Sequence, residues 1–360
     1  MVAYKLMMKD RVVADFNIVR TSYTLNVNID KIYLSQLIPL GIQSGYYTLL
    51  SWLESRYILA YKRETMAFFT SIGVTNLEQF IDITHCASLN DCYWVKPSDS
   101  NKKWVNVSLY RNAFNANISH YALFGRVLNK NIGSSPDFST DGNFPKCWRR
   151  YKDGIYLLKA GTTGAYNAGY EPYSEVFACQ LAHYLGIPVI EQVLTQYRGI
   201  DVSKSKCICD ENIGIIKLNE LTNRTGADFK WLLDNYNCKL IQYMLMLDYL
   251  LCNTDRHFGN IWLYFDVNTN QVKDFTEVGD NNLSCMPYYV TDEDLLYYIN
   301  DIRAKDGRTW VELLSLLDSK VIRGIKQSVQ GFRLKPLGNT KADSRLGVLN
   351  TMLAYQISKL

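Results

Sequence analysis

Along the chain, apolar positions first recur at every second residue. Val12-Val-Ala-Asp-Phe-Asn-Ile-Val19 and Tyr23-Thr-Leu-Asn-Val27 alternate apolar and polar side chains, with Lys9-Asp10 as a turn. Residues 2 to 27 are therefore predicted to form a small antiparallel unit. The period then lengthens. Residues 44 to 59 suit a helix that buries Leu49, Leu50, Trp52 and Leu53, and residues 62 to 83 suit two shorter helices broken at Gly73. Ser88–Pro97 and Trp104–Leu109 hold aromatic side chains among Pro, Asp and Ser, and are expected to be packed but irregular. Residues 129 to 147 are rich in turn formers, as befits either an interdomain linker or a mobile phosphate-binding loop.

Beyond that loop, Trp148–Lys152 and Ile155–Lys159 flank Asp153-Gly154, a hairpin signal. Ser174–Leu185 has apolar positions at helical spacing, ended by Gly186 and Pro188. Glu175 is expected in its first turn, where the helix dipole favours a carboxylate. Val189–Gln196 and Ile208–Leu218 suggest strands. Leu240–Tyr249 is apolar nearly all round, as a buried helix would be. Ile261–Val267 and Val272–Val278 read as a second hairpin around Asn268-Thr-Asn270. The tail supplies amphipathic helices over Asp292–Asn300, Thr309–Leu317 and Leu346–Ile357, with Thr291-Asp-Glu-Asp294 as a capping box.

Composition narrows the classes. The chain has 360 residues, 48% hydrophobic and 21% charged, which describes a globular protein of one large or two ordinary domains. A net charge of +4 falls short of a nucleic-acid footprint, and no direct nucleic-acid partner is expected. Lys5, Lys9, Asp10 and Arg11 interrupt any early apolar run, so no signal peptide is expected. No stretch reaches the roughly 18 apolar residues of a membrane helix. Nine cysteines without a CxxC pair, beside four histidines, suit reduced thiols and a cytoplasmic setting better than disulfides or zinc.

Between the buried helix and the second hairpin lies the densest chemistry in the chain, Asn253-Thr-Asp-Arg-His-Phe-Gly-Asn-Ile261. A polar loop held by two apolar elements is rigid, and rigid loops carry catalytic groups well. Upstream, Lys159 ends a strand after a turn-rich loop. Downstream, Asp280 follows the hairpin. Together these are the parts that ATP-dependent phosphoryl transfer requires. Backbone amides and a cation around the phosphates are available at Ser139–Lys146 and Lys159. Asp255 is a carboxylate for the attacking hydroxyl. Asn260 and Asp280 offer the oxygen ligands that Mg²⁺ prefers, with Asp274 and Glu277 as weaker substitutes. His257 suits a loop-orienting histidine better than a nucleotide contact, and Glu175 is a candidate partner for Lys159.

Asn253–Ile261 resembles the catalytic loop of the HipA-like kinases, whose fold is related to the phosphoinositide 3/4-kinases, and the Asp-Arg-His-x-x-Asn core of the latter stands here literally. Ser139-Thr-Asp-Gly-Asn-Phe-Pro-Lys146 is similar to the family's phosphate loop, Ile155–Lys159 to its lysine strand, and Ser174–Gly186 to the helix that follows. Ser88–Val95 is similar to a divergent bacterial and phage branch. The resemblance covers residues 130 to 290 well and the rest loosely.

It implies an α+β, two-lobed protein-kinase-like fold, with an accessory subdomain over 1–125, a β-rich N-lobe over 126–220 and a mainly helical C-lobe over 221–360. It also implies a serine/threonine protein kinase that uses ATP and Mg²⁺, with Asp255 as base and Asn260 and Asp280 on the metal. Lys159, His257, Asp141, Gly142, Asn143, Phe144, Pro145 and Lys146 would stand near ATP, and Cys207, Ile208 and Cys209 would form the hinge beside adenine. Ser139 is the implied autophosphorylation site and Thr140 its neighbour. The partners expected are a protein substrate and an antitoxin-like or other protein. Alternatives are a lipid or small-molecule kinase, against which the lack of a basic amphipathic helix counts, and a non-catalytic nucleotide-binding module.

Overall fold

A computed structural model describes residues 2–21, 23–57, 69, 74–126, 133–142, 144–165, 167–289 and 291–360, with Asp292 and Leu296 described by their backbone only. The chain divides into two compact units. One comprises Met1–Leu158, Lys206–Arg224 and Trp262–Asp274; the other comprises Lys159–Ser205, Thr225–Ile261 and Phe275–Leu360.

In the first unit, the alternating N-terminal residues form an antiparallel sheet in the order Leu25–Ile32, Arg11–Arg20, Val2–Met8, Tyr93–Pro97. Tyr4 lies opposite Phe16, and their rings stack with centroids 5.5 Å apart, a cross-strand pair of the kind that fixes register. A register shift after Leu6 lets Leu6, Met7 and Met8 all be buried, which strict alternation forbids.

The fourth strand corrects the expectation of irregular structure at Tyr93–Pro97. The local turn formers have other work: Asp91 makes a buried bidentate pair with Arg56, at 3.1 and 2.5 Å, and accepts the Tyr93 amide. That leaves Tyr93, Trp94 and Val95 free to bury themselves on the sheet. Trp104–Val107, also expected to be irregular, is a single helical turn.

The helix expected over 44 to 59 is observed at Leu49–Ser55. Thr48 caps it by accepting the Ser51 amide, and Leu49, Trp52 and Leu53 are buried while Leu50 is half-exposed. Of the helices expected over 62 to 83, Leu77–Thr84 is present; the break at Gly73 lies outside the described residues. The first hairpin runs Lys146–Tyr151 and Gly154–Ala160, so its turn is Lys152-Asp153, one residue earlier than read from Asp-Gly. A second sheet has the order Val272–Phe275, Trp262–Asp266, Ile213–Lys217. The strand expected from Ile208 starts only at Ile213, because Asp210 accepts the amides of Asn212 and Ile213 in a turn.

The second unit contains the helix Glu171–Tyr184. It starts three residues before Ser174, with Pro172 in its first turn, where the missing amide costs nothing. The first-turn carboxylate is therefore Glu171, and Glu175 lies a turn deeper and fully buried. Val193–Tyr197, which overlaps the strand expected over Val189–Gln196, pairs with Ile200–Lys206, a strand the sequence reading did not contain. The turn between them, Arg198-Gly199, has φ of 51° and 82°, both positive as such two-residue turns require.

Helix Lys239–Leu251 is the core of this unit, buried on nearly every face. Tyr249 and Gln356 exchange side-chain hydrogen bonds with each other's carbonyls, at 2.8 and 2.7 Å, tying this helix to Leu346–Lys359. Asp292–Tyr298 is capped by Thr291. Phe229–Tyr236, Trp310–Ser315, Ser319–Ser328 and Thr340–Asp343 are further helices of this unit, and Ser319–Ser328 has no counterpart in the sequence reading. No helix among the described residues is long and apolar enough to cross a membrane.

Candidate active site

The loop after helix Lys239–Leu251 begins where Cys252 adopts a left-handed φ of 51° and ends the helix. Asn253 then bonds in two directions. Its Nδ2 donates to Asp248 Oδ1 at 2.8 Å and its Oδ1 accepts the Asp255 amide at 3.1 Å. Arg256 turns inward and is fully buried. Its guanidinium donates to both carboxylate oxygens of Asp248, at 2.9 and 3.1 Å. It also reaches the carbonyl of Asn260 at 3.1 Å, the carbonyl of Gly279 at 2.7 Å and Oδ1 of Asn281 at 2.8 Å. One nitrogen, Nη1, serves both Asn260 and Gly279, so the loop and the segment bearing Asp280 are fastened at a single point.

Around that anchor the polar side chains are set one by one. His257 caps the short turn Phe258–Asn260, its Nδ1 accepting the Gly259 amide at 3.0 Å. Burial pushes its imidazole below the ordinary value; Asp255 opposes this and Lys305 reinforces it. A neutral ring is the form that can accept this bond. Asn260 Nδ2 donates to the Asp255 carbonyl at 2.9 Å, which leaves its Oδ1 as the atom with affinity for a hard cation. Phe258 donates its amide to the Gly226 carbonyl at 2.9 Å. Asp255 itself points outward, with Lys305 Nζ 2.6 Å from its Oδ1.

In the same unit, Lys159 meets Glu175 at 2.5 Å and Asp280 at 2.8 Å. Burial disfavours its charge, but the two carboxylates overcome that and raise the ammonium well above its ordinary value. The other oxygen of Glu175 accepts the Asn281 amide at 3.0 Å. Asp280 has a left-handed φ of 54°, a conformation that Asp tolerates better than most side chains. The segment beyond is held by Arg345, whose Nη2 donates to the carbonyls of Cys285, Met286 and Tyr289 at 3.1, 2.8 and 2.6 Å.

The donor set fits a divalent cation that also binds phosphate. Glu175, Asp248 and Asp280 face Lys159 and Arg256, so three carboxylates meet two cations and the cluster keeps one negative charge in excess. No group of three or more His, Cys, Asp or Glu side chains arranged to hold a metal occurs among the described residues. Mg²⁺ needs no such cage. It is commonly bound by one or two carboxylates with substrate phosphates completing the shell. The Asn281 Nδ2 beside Asp280 is buried with no partner among the described residues; as a donor it suits a phosphate oxygen or water and not the metal.

Apart from Glu277, which lies in the second unit, the remaining sequence candidates belong to the first. Ser139 ends the short turn Pro136–Ser139, is buried, and donates to the Pro136 carbonyl at 3.2 Å. Thr140 donates to the same carbonyl and accepts from Trp148 Nε1 at 3.0 Å. Burial raises the Asp141 carboxyl, yet an ion pair with Lys217 prevails and holds it below its ordinary value. Gly142 has φ of 90°, which calls for glycine, and its amide donates to Asp141 at 2.7 Å. Phe144, Pro145 and Lys146 are half-buried, and Lys146 opens the strand Lys146–Tyr151. Asn143 lies outside the described residues. In Cys207-Ile208-Cys209 the Cys207 amide donates to the Ile155 carbonyl at 2.8 Å, and Cys209 is buried.

Sequence reasoning missed Asp248, Arg256, Lys217 and Lys305. Two of them left a signal. An aspartate in an otherwise apolar helix demands a partner, and a second lysine closes a strand much as Lys159 does. Lys305 left none.

No protein-family model matches the chain, and no curated protein sequence matches it. Solved structures do. The chain is similar to one in the complex of the Shewanella oneidensis MR-1 toxin–antitoxin system HipA, HipB and its operator DNA. That match has a TM-score of 0.50 at 12% identity and covers 99% of this chain and 97% of the other. It is also similar to the Helicobacter pylori proinflammatory kinase CtkA, with a TM-score of 0.44 at 18% identity, covering 60% of this chain and 90% of that one. At such identities the likeness is one of fold: a mixed α+β, HipA-like kinase fold.

Proposed function

We propose that this chain is a serine/threonine protein kinase of the HipA kind, which transfers the γ-phosphoryl group of ATP to a protein hydroxyl. One observation carries the reading. The Arg256 guanidinium ties the Asp255–Asn260 loop to Gly279 and Asn281, on either side of the aspartate that pairs with Lys159. Phosphoryl transfer asks for this grouping of base, metal-binding oxygens and phosphate-binding cation on a rigid frame.

In this reading Asp255 orients the acceptor hydroxyl and takes its proton. Lys159, kept protonated by Glu175 and Asp280, gives its charge to the ATP phosphates. Asn260 Oδ1 and the Asp280 carboxylate would hold Mg²⁺, which when bound neutralises phosphate charge and orients the leaving group. His257, neutral and bonded to the Gly259 amide, keeps the loop in shape. Asp141–Lys146 and Cys207–Cys209 are assigned to phosphate and adenine binding. Residues 1–125, 126–220 and 221–360 are assigned to the accessory part and the two lobes.

Ser139 belongs to this reading as a modification site only if its segment leaves its present place, since its hydroxyl is buried and bonded. A protein substrate, an antitoxin-like partner and a cytoplasmic location complete the proposal.

The test is labelling of the purified chain and of serine/threonine peptides with ATP and Mg²⁺, with phosphosites mapped by mass spectrometry. Asp255→Asn is expected to lower transfer by roughly 10²–10⁴-fold, while ATP binding measured by calorimetry persists. Equal labelling by both proteins overturns the assignment of Asp255. Binding of ATP without turnover on any acceptor would instead make the chain a nucleotide-sensing module.

A further inference from the structure

We propose that Lys305 is a positioning residue of the phosphoryl-transfer site, holding the Asp255 carboxylate where the acceptor hydroxyl must arrive. The proposal rests on the reading of Asp255 as the base. Lys305 lies outside the loop motif, 50 residues downstream, yet its ammonium is 2.6 Å from Asp255 Oδ1.

The turn that presents it is braced rather than loose. Ala304 is buried, its amide donates to the Arg308 carbonyl at 2.9 Å, and the Gly307 amide returns to the Ala304 carbonyl at 2.9 Å. Gly307 has φ of 86°, which lets the turn close so tightly. Asp306 pairs with Arg308 and accepts the Phe229 amide at 3.1 Å. Three residues before Phe229, the Gly226 carbonyl accepts the Phe258 amide from the catalytic loop itself. A single stretch, Gly226–Phe229, thus fixes both the loop that carries Asp255 and the turn that carries Lys305.

Stability does not explain the arrangement. Lys305 is 43% exposed and Asp255 20%, and pairs this open to water contribute little to folding. Their geometry matters instead for the carboxylate, whose two oxygens are otherwise equivalent by rotation. With Oδ1 engaged by the ammonium, Oδ2 is the oxygen turned to the acceptor. The same cation stands beside the hydroxyl as its proton leaves.

The experiment compares wild type, Lys305→Met, Lys305→Arg and Asp255→Asn in steady-state transfer to a serine peptide, alongside thermal melts. Lys305→Met is expected to lower kcat by roughly tenfold, with KM for ATP and the melting temperature unchanged. Lys305→Arg is expected to recover most of the loss, because a guanidinium can make the same contact. A kcat for Lys305→Met equal to wild type overturns the proposal while leaving Asp255 as base. A higher kcat overturns it too, since the lysine would then be masking the carboxylate. Equal losses in both lysine variants with a lowered melting temperature reduce Lys305 to a structural role. Transfer by Asp255→Asn equal to wild type overturns the base assignment and this proposal together.

Discussion

Asp255 and Arg256 are neighbours in sequence and opposites in setting. Arg256 pairs with Asp248 where both side chains are sealed from water, at 0% and 2% exposure; Asp255 pairs with Lys305 at 20% and 43%. In the buried pair every polar atom counts, because desolvation costs several kcal/mol per ion and only a full set of bonds offsets it. Arg256 has that set: two carboxylate oxygens, two carbonyls and an amide oxygen. The outer pair is solvated, cheap to make and cheap to exchange, which suits the role proposed for Asp255. The loop is thus split residue by residue into a sealed part and a solvated part.

The largest effect should come from the sealed side. Asp248→Asn or Arg256→Met strands a buried charge and is expected to cost about 3–5 kcal/mol, read as a drop in unfolding free energy in urea. The double variant Asp248→Leu with Arg256→Met should recover part of that loss. A cost no larger than that of changing Asp255 would break the comparison.

A buried group with no countercharge sharpens it. His85 in the first unit is buried, accepts from the Lys102 ammonium at Nε2 (2.8 Å), and so carries its proton on Nδ1 toward the Val95 carbonyl. Burial first, and then Lys102, lower its pKa to about 4. The unfolded chain takes up this proton near pH 6.5 and the folded one only near pH 4. Stability is therefore whole above pH 6.5 and erodes as pH falls between those values, by about 3 kcal/mol. His85→Asn, which tolerates the left-handed φ of 53° there, should flatten that part of the pH–stability curve. The smallest effect belongs to the open side. Asp255→Asn should shift unfolding by no more than about 1 kcal/mol, and less still at high salt.

The candidate loop was legible because its chemistry is local: six polar side chains within nine residues, between two apolar runs. Helix Lys239–Leu251 and both hairpins flanking the site were legible from their periods. What holds the loop was not. Arg256 looked like one more loop arginine, and only folding brings it to Gly279 and Asn281, more than twenty residues away. Lys305 sits in a polar turn without a periodic signal. The Glu171 helix starts three residues before the expected Ser174, since Pro172 at a helix start removes an amide that has no partner anyway. Tyr93–Pro97 was misread because Asp91 looked like a turn former when its carboxylate belongs to Arg56.

Arg345 gives the site a timetable. The segment after Asp280 contains Cys285 and Met286, both in the left-handed region at φ of 63° and 45°, a conformation side chains adopt only under constraint. Leu251 accepts the Cys285 amide at 2.6 Å, and the carbonyls wait for a guanidinium made about sixty residues later. At translation speeds of about 5–20 residues per second, the ribosome passes Asp280 several seconds before it delivers the arginine that lets the following backbone settle. A nascent chain in that interval already has Glu175 and Arg256 to hold Gly279 and Asn281 beside Asp280, but the carbonyls of Cys285, Met286 and Tyr289 still lack their arginine. A message cut short before that codon yields a chain whose Cys285–Tyr289 backbone lacks this hold.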